Sequence, residues 1–202
     1  IANLVWGLAA PFVGAVSDRY GAGRVAVMGG IMTALGLYAT YEAQSEAGLL
    51  LAGVLLGLGV AGAGINAMVG AVARAAPIEQ RTQAIAALGI GSGLGILIAL
   101  PYTHFLIEAL TWKVSLLALL VTSLAILPLA YVVAGKPRAP SAATAASSQS
   151  VRVALREAFH TPSYYLLNAG FFVCGFHLAF YGTHLPAYVA DQGLASSVSV
   201  MA

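Results

Sequence analysis

Long apolar stretches dominate the chain, and short polar segments separate them. Six of these stretches reach the length of about 17–25 residues that a membrane-spanning helix requires. They cover residues 1–17, 25–41, 48–73, 84–107, 114–134 and 163–189. None alternates in polarity as a barrel strand would, and backbone groups in lipid must pair internally, so the pattern predicts six transmembrane helices.

The charged residues lie almost entirely between these stretches, and the bases favour every second loop. The first, third and fifth loops hold eight of the nine Lys and Arg residues, whereas the second loop holds two Glu residues and no base. Short basic loops stay in the cytoplasm. Residues 18–24, 74–83 and 135–161 are therefore predicted to be cytoplasmic, and we expect a multi-pass protein of a cell membrane, the inner membrane if the source is bacterial.

Composition excludes a soluble domain. Hydrophobic residues make up 60% of the chain and charged residues only 8%, against about 25% charged residues in ordinary soluble domains. The net charge of +2 is too small to indicate a nucleic-acid partner, so the lipid bilayer is the predicted surrounding. A single cysteine, Cys174, rules out an intrachain disulfide and a CxxC motif, and we expect no metal and no cofactor.

A change in composition marks a boundary after the fifth stretch. Residues 135–150, GKPRAPSAATAASSQS, are small and polar and predict a flexible linker. Residues 151–160, VRVALREAFH, place apolar and basic side chains on adjacent faces, which predicts a short amphipathic helix on the inner membrane surface. Thr161 and Pro162 are typical of the start of the next helix.

The chain therefore divides into three parts. They are part of an N-terminal bundle of five helices at 1–134, a cytoplasmic linker at 135–161, and the start of a second bundle at 162–202. Because an apolar run is already under way at Ile1, we expect an excerpt from a longer protein, whose remaining helices are partners of this chain.

Glycines recur inside the apolar stretches at the spacing of close helix contacts. Gly53-xxx-Gly57 and Gly91-xxx-Gly95 predict tight helix–helix packing, because association in lipid depends on small residues. The segment GLGVAG at 57–62 also fits the dinucleotide pattern G-x-G-x-x-G. That pattern needs a preceding strand, so packing is the preferred interpretation.

Residues 14–24, GAVSDRYGAGR, resemble the signature loop between the second and third helices of major facilitator superfamily transporters. The matching residues are Gly14, Asp18, Arg19, Gly21 and Arg24. Two small residues stand where a second base is common. The resemblance implies an all-α, major-facilitator-type bundle in which this chain holds helices 2 to 7 of an expected twelve. It also favours a loop that gates transport as a latch, in which Asp18 pairs in one conformation and is released in the other. The alternative is that Asp18 and Arg19 are two solvated loop charges.

Two further segments are similar to bacterial monocarboxylate-porter-like members. They are ALGIGSGLGILIALP at 87–101 and GFFVCGFHLAFYGTHLPAYVADQGL at 170–194. The resemblance implies a secondary carrier that moves a small solute, a monocarboxylate or related organic anion, by alternating access. A carrier of another branch, for sugars or drug efflux, is the alternative. No catalytic cluster is visible, so a membrane-embedded enzyme is disfavoured, as is a channel.

The last apolar stretch holds the candidate substrate path. At about 100° per residue, one helix face carries Cys174, His177, Tyr181 and His184. Polar groups inside membranes face a cavity or another helix. Lining of the path and hydrogen bonding between helices both remain open, as does a coupled proton carried by a histidine.

Overall fold

The computed structural model describes residues 1–133 and 151–193, and all elements in these two ranges are helical, as predicted. The helices are α1 Ala2–Tyr20, α2 Ala22–Glu42, α3 Glu46–Ala63, α4 Ile65–Ala75, α5 Arg81–Ala109, α6 Trp112–Leu124, α7 Ile126–Val133, α8 Val151–His160 and α9 Pro162–Asp191, with a 3₁₀ turn at Ile78–Gln80. The chain divides into two compact units, Ile1–Pro137 and Arg138–Ala202. The predicted linker at 135–150 lies outside the described residues, so the three-part division stays a prediction.

Among the described residues, five helical stretches are long and apolar enough to cross a membrane. They are Ala22–Glu42, Glu46–Ala73, Ile78–Ala109, Trp112–Tyr131 and Pro162–Asp191. The predicted first span also forms a helix, α1, of 19 residues. It is not among the five, because Asn3, Asp18 and Arg19 fall within its length and lower its hydropathy. All six spans predicted from the sequence are thus helical in the structure, but only five of them are also apolar enough to count as membrane-spanning.

Two of the predicted spans are each built from two helices. The third breaks at Gly64, whose backbone is extended and whose N–H donates to Val60 O at 2.8 Å. A Cβ at Gly64 would collide with that same carbonyl. The fifth breaks at Ala125. Pro128, in the first turn of α7, has no N–H to donate back to α6, so one bond of the hydrogen-bond ladder is missing at this break.

Helices α2 and α3 form the closest contact of the first unit, along a seam of small residues. A Cβ added at Gly29 in α2 would lie 2.5 Å from Ala63 N and 2.8 Å from Gly59 O. The backbones of the two helices therefore touch directly. The buried members of the seam are Gly29 and Gly36 on α2, and Gly59 and Gly62 on α3.

The predicted glycine pair of α3 lies against α1. A Cβ at Gly57 would be 2.6 Å from Ala2 O, and one at Gly53 would be 3.4 Å from Ile1 Cγ2. All three glycines of the segment at 57–62 therefore serve packing, toward α1 or α2. A Cβ at Gly91 or Gly95 in α5 would meet no described atom within 4 Å, so that second seam stays a prediction.

Side-chain hydrogen bonds fix the turn between α5 and α6. The buried Ser115 hydroxyl donates to Leu106 O at 2.8 Å and to Thr111 O at 3.1 Å. The hydroxyls of Tyr102 and Thr122 are 2.9 Å apart and link the two helices. These bonds hold α5 and α6 side by side without needing water.

Candidate functional site

The loop between α1 and α2 carries the signature residues, and its shape depends on Gly21. This glycine has φ +93°, a region that L side chains rarely adopt. Its N–H donates to Ser17 O at 2.9 Å, and its carbonyl accepts from Val25 N–H at 3.4 Å. The turn is therefore a single residue long and joins the two helices tightly.

Three charged residues of the motif are exposed around this turn. Asp18 and Arg19 lie in the last turn of α1, and Arg24 lies in the first turn of α2. The Arg19 guanidinium is 5.6 Å from the centroid of the Tyr20 ring, within the range of a cation–π contact. The structure thus places the charges of the motif within a few residues of one turn. Gly14 lies one turn before Asp18, and a Cβ there would meet no described atom within 4 Å.

Ser17 is a member of this site that sequence reasoning did not single out. It is only 2% exposed, and its Oγ has no hydrogen-bond partner among the described residues. Leaving a buried hydroxyl unpaired costs about 1–3 kcal/mol. A serine near a helix end gives no sequence signal of this kind, because the unpaired state follows from tertiary burial.

A cavity of about 450 Å³ lies beside the loop, between α1, α2 and α3. Its walls are almost wholly apolar, and Tyr20 and Arg24 are its polar members. It is lined by Phe12, Val13, Val16, Tyr20, Arg24, Val25, Met28, Gly29, Met32, Leu58 and Gly62. It is an open depression and not an enclosed site, since Phe12 and Met28 in its wall are 67% and 54% exposed. The cavity was not predicted, because it depends on how three helices pack.

In the second unit, α9 is one continuous helix and carries the candidate path residues. Cys174 and Tyr181 are exposed, the latter by 59%. His177 Nδ1 lies 2.9 Å from Val173 O. A carbonyl oxygen can only accept, so Nδ1 carries the proton of this bond and Nε2 is left as an acceptor in the neutral ring.

A ladder of aromatic rings runs along an adjacent face of α9. The centroids of Phe172 and Phe176 are 6.4 Å apart, and those of Phe176 and Phe180 are 6.2 Å apart. His184 continues the ladder at 4.8 Å from Phe180. The polar face also contacts this ladder, because the His177 ring lies 6.3 Å from Phe176 and the Tyr181 ring lies 6.3 Å from Phe180. The spacing of four residues was visible in the sequence, but the ladder was not predicted.

Two comparisons identify relatives of this chain. The sequence model described as the Major Facilitator Superfamily matches residues 1–202. The mouse protein named monocarboxylate transporter 11 is 29% identical over 192 residues, which cover 92% of this chain and 41% of that protein. The chain thus spans about two fifths of the length of this curated relative. No solved structure matches it significantly. With five apolar helices of spanning length and a family match along its whole length, this multi-pass membrane protein belongs to the major facilitator superfamily.

Proposed function

We propose that the chain is part of a secondary carrier that moves a small solute across a membrane by alternating access. Membership of the superfamily is the observation that carries the proposal. In such carriers two helical bundles rock about a central site.

The proposed solute is a monocarboxylate or a related organic anion. Its support is the similarity to monocarboxylate transporter 11 over 92% of the chain. That relative is a mouse protein, so placement in a bacterial branch and in a bacterial inner membrane stays a prediction. Coupling of transport to a proton is likewise part of the proposal. The atom proposed to accept the proton is Nε2 of His177.

The signature loop is proposed to act as a latch between two conformations. The unpaired Ser17 hydroxyl supports this role. A second conformation in which this hydroxyl has a hydrogen-bond partner would avoid the cost of leaving it buried and unpaired, which is about 1–3 kcal/mol. The strained turn at Gly21 holds the three charges of the loop at one end of the α1–α2 pair. A rearrangement there would change the ends of both helices together.

Uptake by the full-length protein in proteoliposomes tests the function. We expect saturable uptake of labelled lactate or pyruvate, with counterflow, and no uptake of labelled glucose. Uptake measured with and without a proton gradient tests whether transport is coupled to protons. Non-saturating flux would indicate a channel, and uptake of glucose alone would place the protein in another branch of carriers.

The latch is tested by removing one charge. Asp18→Asn should lower uptake by about fivefold or more, the lower range of conformational coupling energies, while membrane insertion is unchanged. Asp191→Asn is the matched control, because it removes the same charge from the exposed end of α9. Equal uptake by the two variants would rule out the latch.

The path is tested by the accessibility of single cysteines in a Cys174→Ala background. His177→Cys and Tyr181→Cys should react with an aqueous thiol reagent and be protected by the solute. Phe172→Cys is the control: this side chain is 73% exposed on the aromatic ladder, and a thiol on a face that meets lipid should react slowly with an aqueous reagent. If 177 and 181 react no faster than 172 in either orientation of the carrier, they do not line the path.

A further inference from the structure

The cavity between α1, α2 and α3 is a groove with small residues at its base. Of its lining residues, Val25, Gly29 and Gly62 are buried and form this base. Phe12 of α1 and Met28 of α2 lie on its two sides and are exposed. The base is deep because the two glycines carry no side chain and the backbones of α2 and α3 touch there. The groove therefore offers apolar walls on both sides of an open channel.

The length of the groove matches one leaflet of a membrane. Its lining residues extend from Arg24 to Met32 on α2 and from Tyr20 back to Phe12 on α1. A rise of 1.5 Å per residue gives about 12 Å for each of these segments. One leaflet contributes about 15 Å, half of the hydrocarbon core. Because the turn at Gly21 carries exposed charges, the end of the groove beside it lies at the boundary of the bilayer.

The polar lining residues all lie at this boundary end. They are Tyr20 and Arg24, and both are exposed. The Tyr20 ring also holds the Arg19 guanidinium, 5.6 Å from its centroid, so a second cation lies nearby. Asp18, the acidic residue of the turn, is not among the lining residues. A cation at the mouth of an apolar channel complements an anion that carries a hydrocarbon chain.

We propose that this groove binds one anionic phospholipid of the leaflet beside the α1–α2 turn, with an acyl chain between α1 and α2 and its phosphate on the Arg24 guanidinium. Guanidinium and phosphate form strong, charge-assisted hydrogen bonds. Two features favour lipid over a further helix or a second copy of the chain. A spanning helix would need an apolar seam across the whole membrane, whereas the groove covers one leaflet. It would also place apolar side chains against Arg24. The inference does not depend on whether the protein carries a solute.

The α2 side of the groove predicts which part of the lipid is recognised. Two of its lining residues are Met28 and Met32. Methionine is unbranched and flexible and fills irregular gaps. Walls of this kind accept acyl chains of different length and unsaturation. Selectivity is therefore expected for the charge of the headgroup, through Arg24, and not for the chain.

Fluorescence quenching by brominated lipid tests what occupies the groove of the full-length protein. In a Cys174→Ala background, Met28→Cys carries a bimane label at the groove. Val121→Cys carries one on α6, outside the groove and at a residue that is 67% exposed. The vesicles are phosphatidylcholine with increasing fractions of brominated phosphatidylglycerol. Half-maximal quenching at 28 should need a fraction about fivefold lower than at 121, the gain expected from one basic residue.

Two results of this titration would overturn the proposal. A label at 28 that brominated lipid never quenches would show that protein covers the groove, either another helix of the chain or a second copy. Equal curves at 28 and 121 would show that the lipid at the groove is exchanged like any other lipid around the protein.

Native mass spectrometry of the unlabelled full-length protein tests the charge. Titration with phosphatidylglycerol in detergent should show one lipid bound more tightly than the rest. Arg24→Gln should weaken its binding about fivefold. Arg81→Gln is the matched control, because it removes an exposed arginine from the first turn of α5, outside the groove. Equal affinities of the two variants would contradict the proposed role of Arg24.

The same measurement tests the acyl chain. Val16→Trp places a large ring in the groove and should weaken the tight lipid at least fivefold, whereas Val121→Trp, the same change outside the groove, should not. Glycerol phosphate, which has the phosphate but no chain, should not displace the lipid. Displacement by glycerol phosphate, or equal binding by the two tryptophan variants, would show that no chain lies in the groove, and the proposal would be wrong. Circular dichroism of each variant checks that the helices have formed.

Discussion

The close approach of α2 and α3 makes a sharp prediction for Gly29→Ala. The added methyl carbon would lie 2.5 Å from Ala63 N, 2.7 Å from Gly62 C and 2.8 Å from Gly59 O. All three are backbone atoms of α3. A crowded side chain could rotate away, but a helix backbone must move as a whole, so the two helices have to separate locally.

The size of the effect follows from these distances. Non-bonded heavy atoms are normally at least about 3.5 Å apart, whereas the added methyl carbon would be only 2.5 Å from Ala63 N. Helices α2 and α3 must therefore move apart by about 1 Å. Such a gap forfeits about a quarter to a half of the attraction of each neighbouring contact. Overpacking of this kind costs about 1–3 kcal/mol. Alanine recovers about 0.8–1 kcal/mol of helix propensity, so we expect a net loss of up to about 2 kcal/mol. Relative to an alanine placed in open space, the loss should be about 1–3 kcal/mol.

Unfolding of the full-length protein by sodium dodecyl sulfate, followed by circular dichroism, measures this loss. Gly7→Ala is the matched control. It makes the same change in the middle of α1, where the new methyl group would meet no described atom within 4 Å. It should be neutral or stabilising by up to about 1 kcal/mol. If Gly29→Ala is as stable as Gly7→Ala, the helices are not in backbone contact and the reasoning fails.

The same assay checks two further predictions. Gly21→Ala should destabilise by about 1–3 kcal/mol, since φ +93° with ψ 137° is a backbone region that only glycine adopts readily, and a value near that of Gly7→Ala would mean that the turn relaxes freely. Ser115→Ala should cost about 1 kcal/mol through its lost hydrogen bonds, whereas Ser17→Ala, equally buried at 2% exposure but unpaired, should be neutral or stabilising. Equal losses for the two serines would contradict the assigned hydrogen bonds.

Hydropathy and charge were sufficient to predict the helical stretches. Each span requires a long apolar run, and the charged residues collect in the loops, which lie outside the lipid. They were insufficient for the breaks inside those runs. Gly64 looks like the many packing glycines around it, and only its extended backbone and its closeness to Val60 O distinguish it. Pro128 was no clearer a signal, because Pro11, Pro101 and Pro186 also remove an N–H from the ladder and yet lie inside unbroken helices.

The candidate site was likewise predictable only in part from the sequence. The face of α9 that holds His177 and Tyr181 follows from helical periodicity, which is local. The Ser17 hydroxyl and the cavity beside Arg24 depend on which helices come together, and periodicity does not encode that. The pairing of Gly29 with Gly59 was missed for the same reason, although each glycine was visible as a small residue in an apolar run.

The contacts of α2 argue that the first unit moves as one body in the proposed transport cycle. Gly29 faces α3, while a Cβ at the next residue, Gly30, would lie 3.1 Å from Ile126 Cγ2 of α7. In addition, α1 is held to α3 through Gly57. Sliding of α2 would therefore have to break its backbone contact with α3 and its side-chain contact with α7 at once, which costs more than rocking the packed helices together. We expect the α2–α3 seam to keep its contacts through the cycle, while the exposed charges around Gly21 change theirs.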